Sequence, residues 1–138
     1  MFLLDTNALG LFLAGEPNTL QRVQENGTSI WLSSVTAEEV LVGRLNDINR
    51  ARRPRTSLSL TRAHQDFAQA LEDVRLFPLL VYSAQADDLY QSFPAAIKRI
   101  GPQDCRIAAQ AIAHGLIVVT RNRRDFEAIG APCEDWSV

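Results

Sequence analysis

The sequence is poor in three residue types that carry much of protein chemistry. Its 138 residues include two cysteines, two histidines and a single lysine. Cys105 and Cys133 are too few, and too featureless in spacing, for a disulfide framework or a zinc site. We expect His64 on a helix surface and His114 at a helix C-terminus, where imidazole suits the helix dipole. No histidine or lysine is therefore placed to act as a general base or acid, so any catalysis must use other groups.

Long hydrophobic runs are also absent. No apolar stretch approaches the roughly 20 residues that a membrane span requires, so we expect no membrane protein. The first residues lack a basic segment and a small-residue cleavage site, which argues against secretion and favours the cytoplasm. The content of 46% hydrophobic and 22% charged residues is ordinary for a globular protein. We therefore expect one folded domain over residues 1–138.

Excess charge of one sign is the third absence. A net charge of −2 excludes a strong overall attraction to nucleic acid. Positive charge is nevertheless concentrated in the arginine segment, residues 50–55, and arginine suits bidentate contact with phosphate. A solvated loop between two helices, residues 49–59, explains the segment equally well. The candidate phosphate-contacting residues are Arg50, Arg52, Arg53 and Arg55.

Short apolar runs alternate with helical patterns along the chain. Residues 2–4, 30–32, 79–82 and 117–119 predict buried strands, and no hairpin signal joins any of them. A further edge strand is expected within residues 131–138, with Trp136 as its buried residue. Gly101-Pro102 and Gly115 are expected to bound a helix. The pattern predicts an α/β/α sandwich with a short, mostly parallel central sheet.

Four acidic residues stand where predicted strands end or predicted helices begin: Asp5, Glu39, Asp104 and Asp125. The carboxyl ends of parallel strands share one edge of a sheet, where ligands collect, so these acids are expected to converge. Four close carboxylates would repel one another, which raises the pKa of some of them.

Local structural roles compete with this interpretation for two of the acids. Asp5 or Thr6 could simply cap the helix that follows the first strand. Thr36 and Glu39 have the spacing of a capping box, in which each side chain bonds the backbone amide of the other. An acid after a strand also occurs in phosphatases with an aspartyl nucleophile. Those enzymes normally have a second acid two residues on, where this chain has Asn7, and the chain also lacks a suitable lysine.

Four motifs occur in order over almost the whole chain. Together they resemble the PIN domain family, specifically its VapC-type ribonuclease toxins. Val40 departs from the usual leucine or isoleucine, and the arginine segment is not part of the pattern. The motifs are Leu4-Asp5-Thr6-Asn7, Thr36-x-x-Glu39-Val40-x-x-Gly43, Asp104-x-x-Ile107-Ala108-Ala109-x-Ala111 and Val119-Thr120-Arg121-Asn122-x-x-Asp125-Phe126.

The resemblance implies a metal-dependent endoribonuclease that acts as the toxin of a toxin–antitoxin pair. The four acids would hold Mg²⁺ or Mn²⁺, which activates water against an RNA phosphodiester; transfer RNA and ribosomal RNA are the expected substrates. The expected partners are a small VapB-like antitoxin and a second copy of the chain. A PIN-like fold that binds RNA without catalysis is the alternative, although the intact acids argue against it. The polar residues expected to support the acids are Asn7, Thr36, Thr120 and Asn122.

Overall fold

A five-stranded sheet lies at the centre of the protein in the computed structural model, which describes residues 1–138. The strand order is β3-β2-β1-β4-β5, and every neighbouring pair is parallel. This confirms the predicted parallel sheet, including the edge strand near the C-terminus. The strands are β1 (Phe2–Leu4), β2 (Ile30–Ser33), β3 (Leu79–Leu80), β4 (Ile117–Val119) and β5 (Cys133–Glu134).

Eight helices connect and cover the strands. Gly115, at φ +66°, ends α7 in the left-handed conformation that glycine adopts without strain, as the sequence predicts. Pro94 separates α5 from α6, because proline interrupts a helix. The helices are α1 (Thr6–Leu13), α2 (Pro17–Asn26), α3 (Ser34–Ala51), α4 (Leu60–Asp73), α5 (Ala84–Ser92), α6 (Ala95–Lys98), α7 (Pro102–His114) and α8 (Arg123–Ile129), and a 3₁₀ turn (Gly27–Ser29) follows α2.

The two faces of the sheet form separate apolar cores. Leu3 packs with the buried face of α7, including Ile107. Its neighbour Leu4 joins the opposite core, which contains Leu9 of α1 and Trp136. Successive side chains of a strand point to opposite faces, so a strand buried on both sides must be apolar throughout. This arrangement confirms the predicted sandwich and the burial of Trp136, although Trp136 lies two residues beyond β5 rather than in that strand.

Three boundaries differ from the sequence prediction, the smallest difference being that β2 ends at Ser33 rather than Leu32. The third strand ends at Leu80 rather than Tyr82. Helix α3 continues to Ala51, so the loop predicted from residue 49 begins at Arg52. Ile48 and Ala51 pack against Ala63 of α4, and this contact favours the longer helix. None of the helices combines the length and the apolar character needed to cross a lipid bilayer.

The candidate active site

Asp5 lies at the carboxyl end of the central strand β1. Its side chain caps α1, since Oδ1 accepts a hydrogen bond of 2.8 Å from the backbone N–H of Ala8. The predicted capping role is thus present, but it uses one carboxylate oxygen of two. A second hydrogen bond comes from the side chain of Thr120, and the Asp5 side chain is almost fully buried. The residue is fixed between two strands while it retains acceptor capacity for a ligand.

Burial and neighbouring charge make ionised Asp5 costly. Loss of hydration is the main cause that raises its pKa to about 6, and repulsion from Asp104 and Glu39 adds to it. The hydrogen bonds from Thr120 and Ala8 act in the opposite direction. An isolated aspartate has a pKa near 3.8. The cluster therefore carries more negative charge at neutral pH than its own hydrogen bonds can stabilise.

Glu39 lies in the second turn of α3, and the alternative role considered for it, a capping box with Thr36, is absent. The helix begins at Ser34, and Ser33 caps it by accepting a hydrogen bond of 3.0 Å from the Val35 N–H. Because β2 runs directly into this cap, Glu39 lies too far along the helix to reach the cap's backbone. Its Oε1 accepts instead from Thr6 Oγ1, at 2.9 Å.

The pKa of Glu39 is raised above that of an ordinary glutamate. Burial is the largest cause, and repulsion from Asp104 and from Glu38 contributes. The hydrogen bond from Thr6 lowers the pKa, because it stabilises the ionised carboxylate. Thr6 thus orients one oxygen of Glu39 and offsets part of its desolvation.

Asp104 and Asp125 occupy the first turns of α7 and α8. Asn122 joins them: its Nδ2 donates to Asp125 Oδ2 at 2.7 Å and to Asp104 Oδ2 at 3.4 Å. Burial is the main reason that the pKa of Asp104 is raised, with repulsion from Asp125 adding to it and the Asn122 amide opposing it. Asp5, Glu39, Asp104 and Asp125, here called the acid cluster, are therefore linked by charge and by one shared amide.

The four predicted supporting residues have different surroundings. Thr120 is buried; it contacts Asp5, and its Oγ1 accepts from the Asn122 backbone N–H at 2.9 Å. Thr36 is buried and donates to the carbonyl of Leu4 at 3.4 Å, so it holds the end of β1 and makes no hydrogen bond to the acids. Asn7 is exposed and lines a shallow depression with Asn122.

Thr6 contacts the acid cluster, although its position in the sequence suggested only a cap for the helix that follows the first strand. Its hydroxyl contacts Glu39, 33 residues away, and no local spacing rule reveals such a pair. The available signal is its position directly after Asp5, where α1 begins beside the sheet edge. A hydroxyl there can reach an acid carried by a neighbouring helix.

The arginine segment lies away from the acid cluster. Glu39 and Arg50 are separated by 11 residues of α3, which corresponds to about 16 Å along the helix axis. Arg50, Arg53 and Arg55 line a surface depression of about 320 Å³ beyond the end of α3. The structure thus places these residues at a second, exposed location.

The acid cluster offers the hard oxygen donors that Mg²⁺ and Mn²⁺ prefer. No three acidic, histidine or cysteine side chains stand close enough in this structure to enclose a metal ion. Mg²⁺ does not require such a cage, because it commonly binds through one or two carboxylates and retains several water molecules. Burial first, and then repulsion between the carboxylates, raises the pKa of Asp5, Glu39 and Asp104, so their ionised forms are costly and a divalent cation would offset that cost. The residues present therefore fit such an ion.

Comparison with known proteins gives consistent results. The family model of the PIN domain matches residues 2–132. The chain is 30% identical to the tRNA(fMet)-specific endonuclease VapC of Shigella flexneri, over 99% of this chain and 98% of that protein. It is 28% identical to ribonuclease VapC2 of Haemophilus influenzae, over 98% of this chain and 97% of the relative.

Solved structures show the same relationship. The DNA-bound VapBC structure from Salmonella typhimurium contains a chain 31% identical to this one, with a TM-score of 0.70 and coverage of 98% and 97% of the two chains. A chain of VapBC-1 from nontypeable Haemophilus influenzae has a TM-score of 0.71 at 21% identity, with coverage of 99% and 98%, and supports the fold. From its motifs, its parallel sheet and these matches, the chain belongs to the PIN domain family and is of the VapC type.

Proposed function

We propose that the protein is a metal-dependent endoribonuclease that acts as the toxin of a toxin–antitoxin pair, with residues 1–138 working as one catalytic domain. The observation that carries this proposal is the acid cluster, where burial and mutual repulsion raise the pKa of three carboxyl groups at one sheet edge. The endonuclease and ribonuclease names of full-length relatives support the reaction class. Transfer RNA is the favoured substrate, because the Shigella relative is named for a transfer RNA. The cytoplasm is the proposed location.

The side chains of the acid cluster have distinct proposed roles. Asp5, Glu39, Asp104 and Asp125 would hold Mg²⁺ or Mn²⁺. When bound, the ion would supply positive charge against the phosphate and lower the pKa of the water that attacks phosphorus, while the bond from phosphorus to the 3′-oxygen breaks. Glu39 accepts the proton of the attacking water on Oε2, while Thr6 keeps Oε1 hydrogen-bonded. Asn122 holds Asp104 and Asp125 at a fixed separation. Thr120 and Thr36 fix Asp5 and the strand end before it.

The test is cleavage of transfer RNA by purified protein that carries no antitoxin. Cleavage is expected with Mg²⁺ or Mn²⁺ and is expected to stop in excess chelator. Asp104→Asn removes one charge at constant shape and should abolish detectable cleavage. Asp88→Asn, an exposed acid on α5, is the matched control and should cut like the unmodified protein. Full activity in chelator would contradict the metal-dependent mechanism.

The proposed partners are a small VapB-like antitoxin and a second copy of the chain. The support for the antitoxin is that the Salmonella structure, at 31% identity over nearly the whole chain, is a VapBC assembly. Co-purification with the product of the neighbouring gene tests the antitoxin, and the mass of the isolated protein in solution tests the dimer. A strict monomer that binds no such product would contradict both.

We further propose that the arginine segment contacts RNA phosphates away from the cut. Arg50, Arg52, Arg53 and Arg55 are exposed, and three of them line one depression. Arg50 lies only 3.4 Å from Asp47, in a solvent-exposed pair that contributes little stability. The guanidinium groups are therefore available for a polyanion.

A further inference from the structure

A pocket of about 580 Å³ opens over the carboxyl ends of β2 and β3. Its wall includes Ser34 and Tyr82, which follow those strands, together with Glu38, Gln103 and Arg106 from α3 and α7. The volume falls in the range of ligand sites, about 300–1,000 Å³. None of these residues belongs to the acid cluster, and no role in the proposed reaction has been given to them.

The pocket and the acid cluster are adjacent parts of one sheet edge. Glu38 precedes Glu39, and Gln103 precedes Asp104. Gln103 Nε2 donates to Glu38 Oε1 at 2.5 Å, so these two side chains bridge α3 and α7 between the pocket and the acids. The ends of β1 and β3 are two strand spacings apart, about 10 Å. The pocket is therefore within reach of a polynucleotide held at the acids.

Two flat groups in the pocket are held in place. The Arg106 guanidinium lies 4.5 Å from the centre of the Tyr90 ring, and its Nη1 donates to Gln103 Oε1 at 3.0 Å. The Tyr82 hydroxyl donates to Asp87 at 3.1 Å, and its backbone N–H bonds Ser34 Oγ. Because burial raises the pKa of Tyr82 to about 12, the phenol stays neutral. Planar groups fixed in this way are surfaces on which nucleobases stack.

The charge of the wall distinguishes a base from a phosphate. Glu38 and Asp87 contribute two negative charges against the single positive charge of Arg106. A phosphate would be repelled by this balance. An uncharged base carries N–H groups that the carboxylates accept and ring acceptors that the guanidinium fork matches.

We propose that this pocket is a subsite for one unpaired nucleobase of the RNA, next to the phosphate that is cut. The proposal rests on the proposed ribonuclease function and adds where the substrate is recognised. A base seated between the Tyr82 and Arg106 side chains places the neighbouring phosphate at the acid cluster. The pocket thus selects single-stranded RNA, since a paired base cannot enter it.

The test is a binding measurement in chelator, where the proposed reaction does not proceed. Fluorescence anisotropy would follow a single-stranded oligoribonucleotide and a series in which one nucleotide after another is abasic. One abasic position is expected to weaken binding about tenfold, the smaller end of the stacking contribution of one base. Arg106→Lys keeps the positive charge and loses the planar guanidinium. It should weaken binding of the intact RNA by a similar factor, and it should hardly change binding of the RNA that is abasic at that position.

Arg99→Lys is the matched control, because Arg99 is exposed and lies outside the pocket wall. Tyr82→Leu is the second variant and should show the same loss of dependence on that base. The proposal is overturned if no abasic position matters, or if the abasic penalty persists in both variants. It is equally overturned if the variants weaken binding of the antitoxin but not of RNA. Absence of cleavage in Mg²⁺ would contradict the proposed ribonuclease function instead. The binding measurement does not depend on cleavage, so the two failures can be told apart.

Discussion

The acid cluster and the arginine segment both stand out in the sequence as groups of like charge, yet the fold treats them differently. The acids come from four separate parts of the chain and are brought to one sheet edge, where Thr6, Thr120 and Asn122 hydrogen-bond them. The four arginines fall within the six residues 50–55 and remain exposed at the end of α3. Charged side chains that are far apart in the sequence form a site only when folding brings them together. Charged side chains that are close in the sequence can instead extend separately into solvent, where they repel one another only weakly.

After the loss of cleavage expected for Asp104→Asn, the largest expected effect comes from Glu39→Gln. If Glu39 faces the cation and accepts a proton, kcat/KM should fall about a hundredfold or more, equivalent to roughly 3 kcal/mol of barrier. Stability should hold or rise, because repulsion with Asp104 is relieved. Thr36→Ala is the comparison variant: it loses a bond to the Leu4 carbonyl and should cost stability, with a much smaller effect on rate. A folded Glu39→Gln protein with unchanged kcat/KM would refute the assignment.

The next effect concerns stability and pH at Asp5. A pKa raised to about 6 means that the folded state binds the proton more tightly than the unfolded chain does. The resulting destabilisation is absent below about pH 4, grows as pH rises and is complete above about pH 6. Asp5→Asn keeps the cap of α1 and removes the charge, so denaturation at pH 8 should show a gain approaching about 3 kcal/mol.

Measurement at pH 4 supplies the control for that variant, since the gain should nearly vanish there. Mg²⁺ should raise the melting temperature of the unmodified protein at pH 8 and have less effect on Asp5→Asn. A gain that is equal at both pH values would show that Asp5 is not held as an unfavourable charge.

A smaller effect is expected at Thr6. Thr6→Val keeps the shape and removes the donor to Glu39, so the pKa of Glu39 should rise further. The acid limb of the pH profile of kcat/KM should move to higher pH, with a loss of up to about tenfold on that limb and little loss at high pH. Thr6→Ser retains a hydroxyl and should largely restore the profile. An unshifted pH profile for Thr6→Val would show that Thr6 does not affect the ionisation of Glu39.

The smallest expected effect belongs to the arginine segment. Each phosphate contact on single-stranded RNA contributes about −0.7 to the slope of log K against log salt. Replacing Arg50, Arg52, Arg53 and Arg55 with Gln should flatten this slope, while Mg²⁺ binding at the acids is unaffected. The measurement is RNA affinity over a range of salt concentrations. An unchanged slope would favour the solvated-loop interpretation.

Part of the candidate site could be predicted from the sequence, because a parallel sheet places the residues after its strands at one edge. Because β1 and β4 are neighbours, Asp5 was expected to lie near the acids that flank β4. The capping box failed for a local reason: Ser33, at the end of β2, provides the cap three residues earlier. The Thr6–Glu39 bond and the pocket beside Glu38 could not be anticipated, because they depend on how α1, α3 and α7 are oriented.

The sequence by itself determined the order of strands and helices, the two-sided burial of β1 and the identity of the four acids, because these follow from apolar periodicity and from motifs along the chain. Only the tertiary structure decided which oxygen each acid has free. Asp5 uses Oδ1 for a cap, Glu39 accepts from Thr6, and Asn122 spans Asp104 and Asp125. Such contacts join residues far apart in the chain, and their geometry is set by side-chain packing at the sheet edge, which no local pattern encodes.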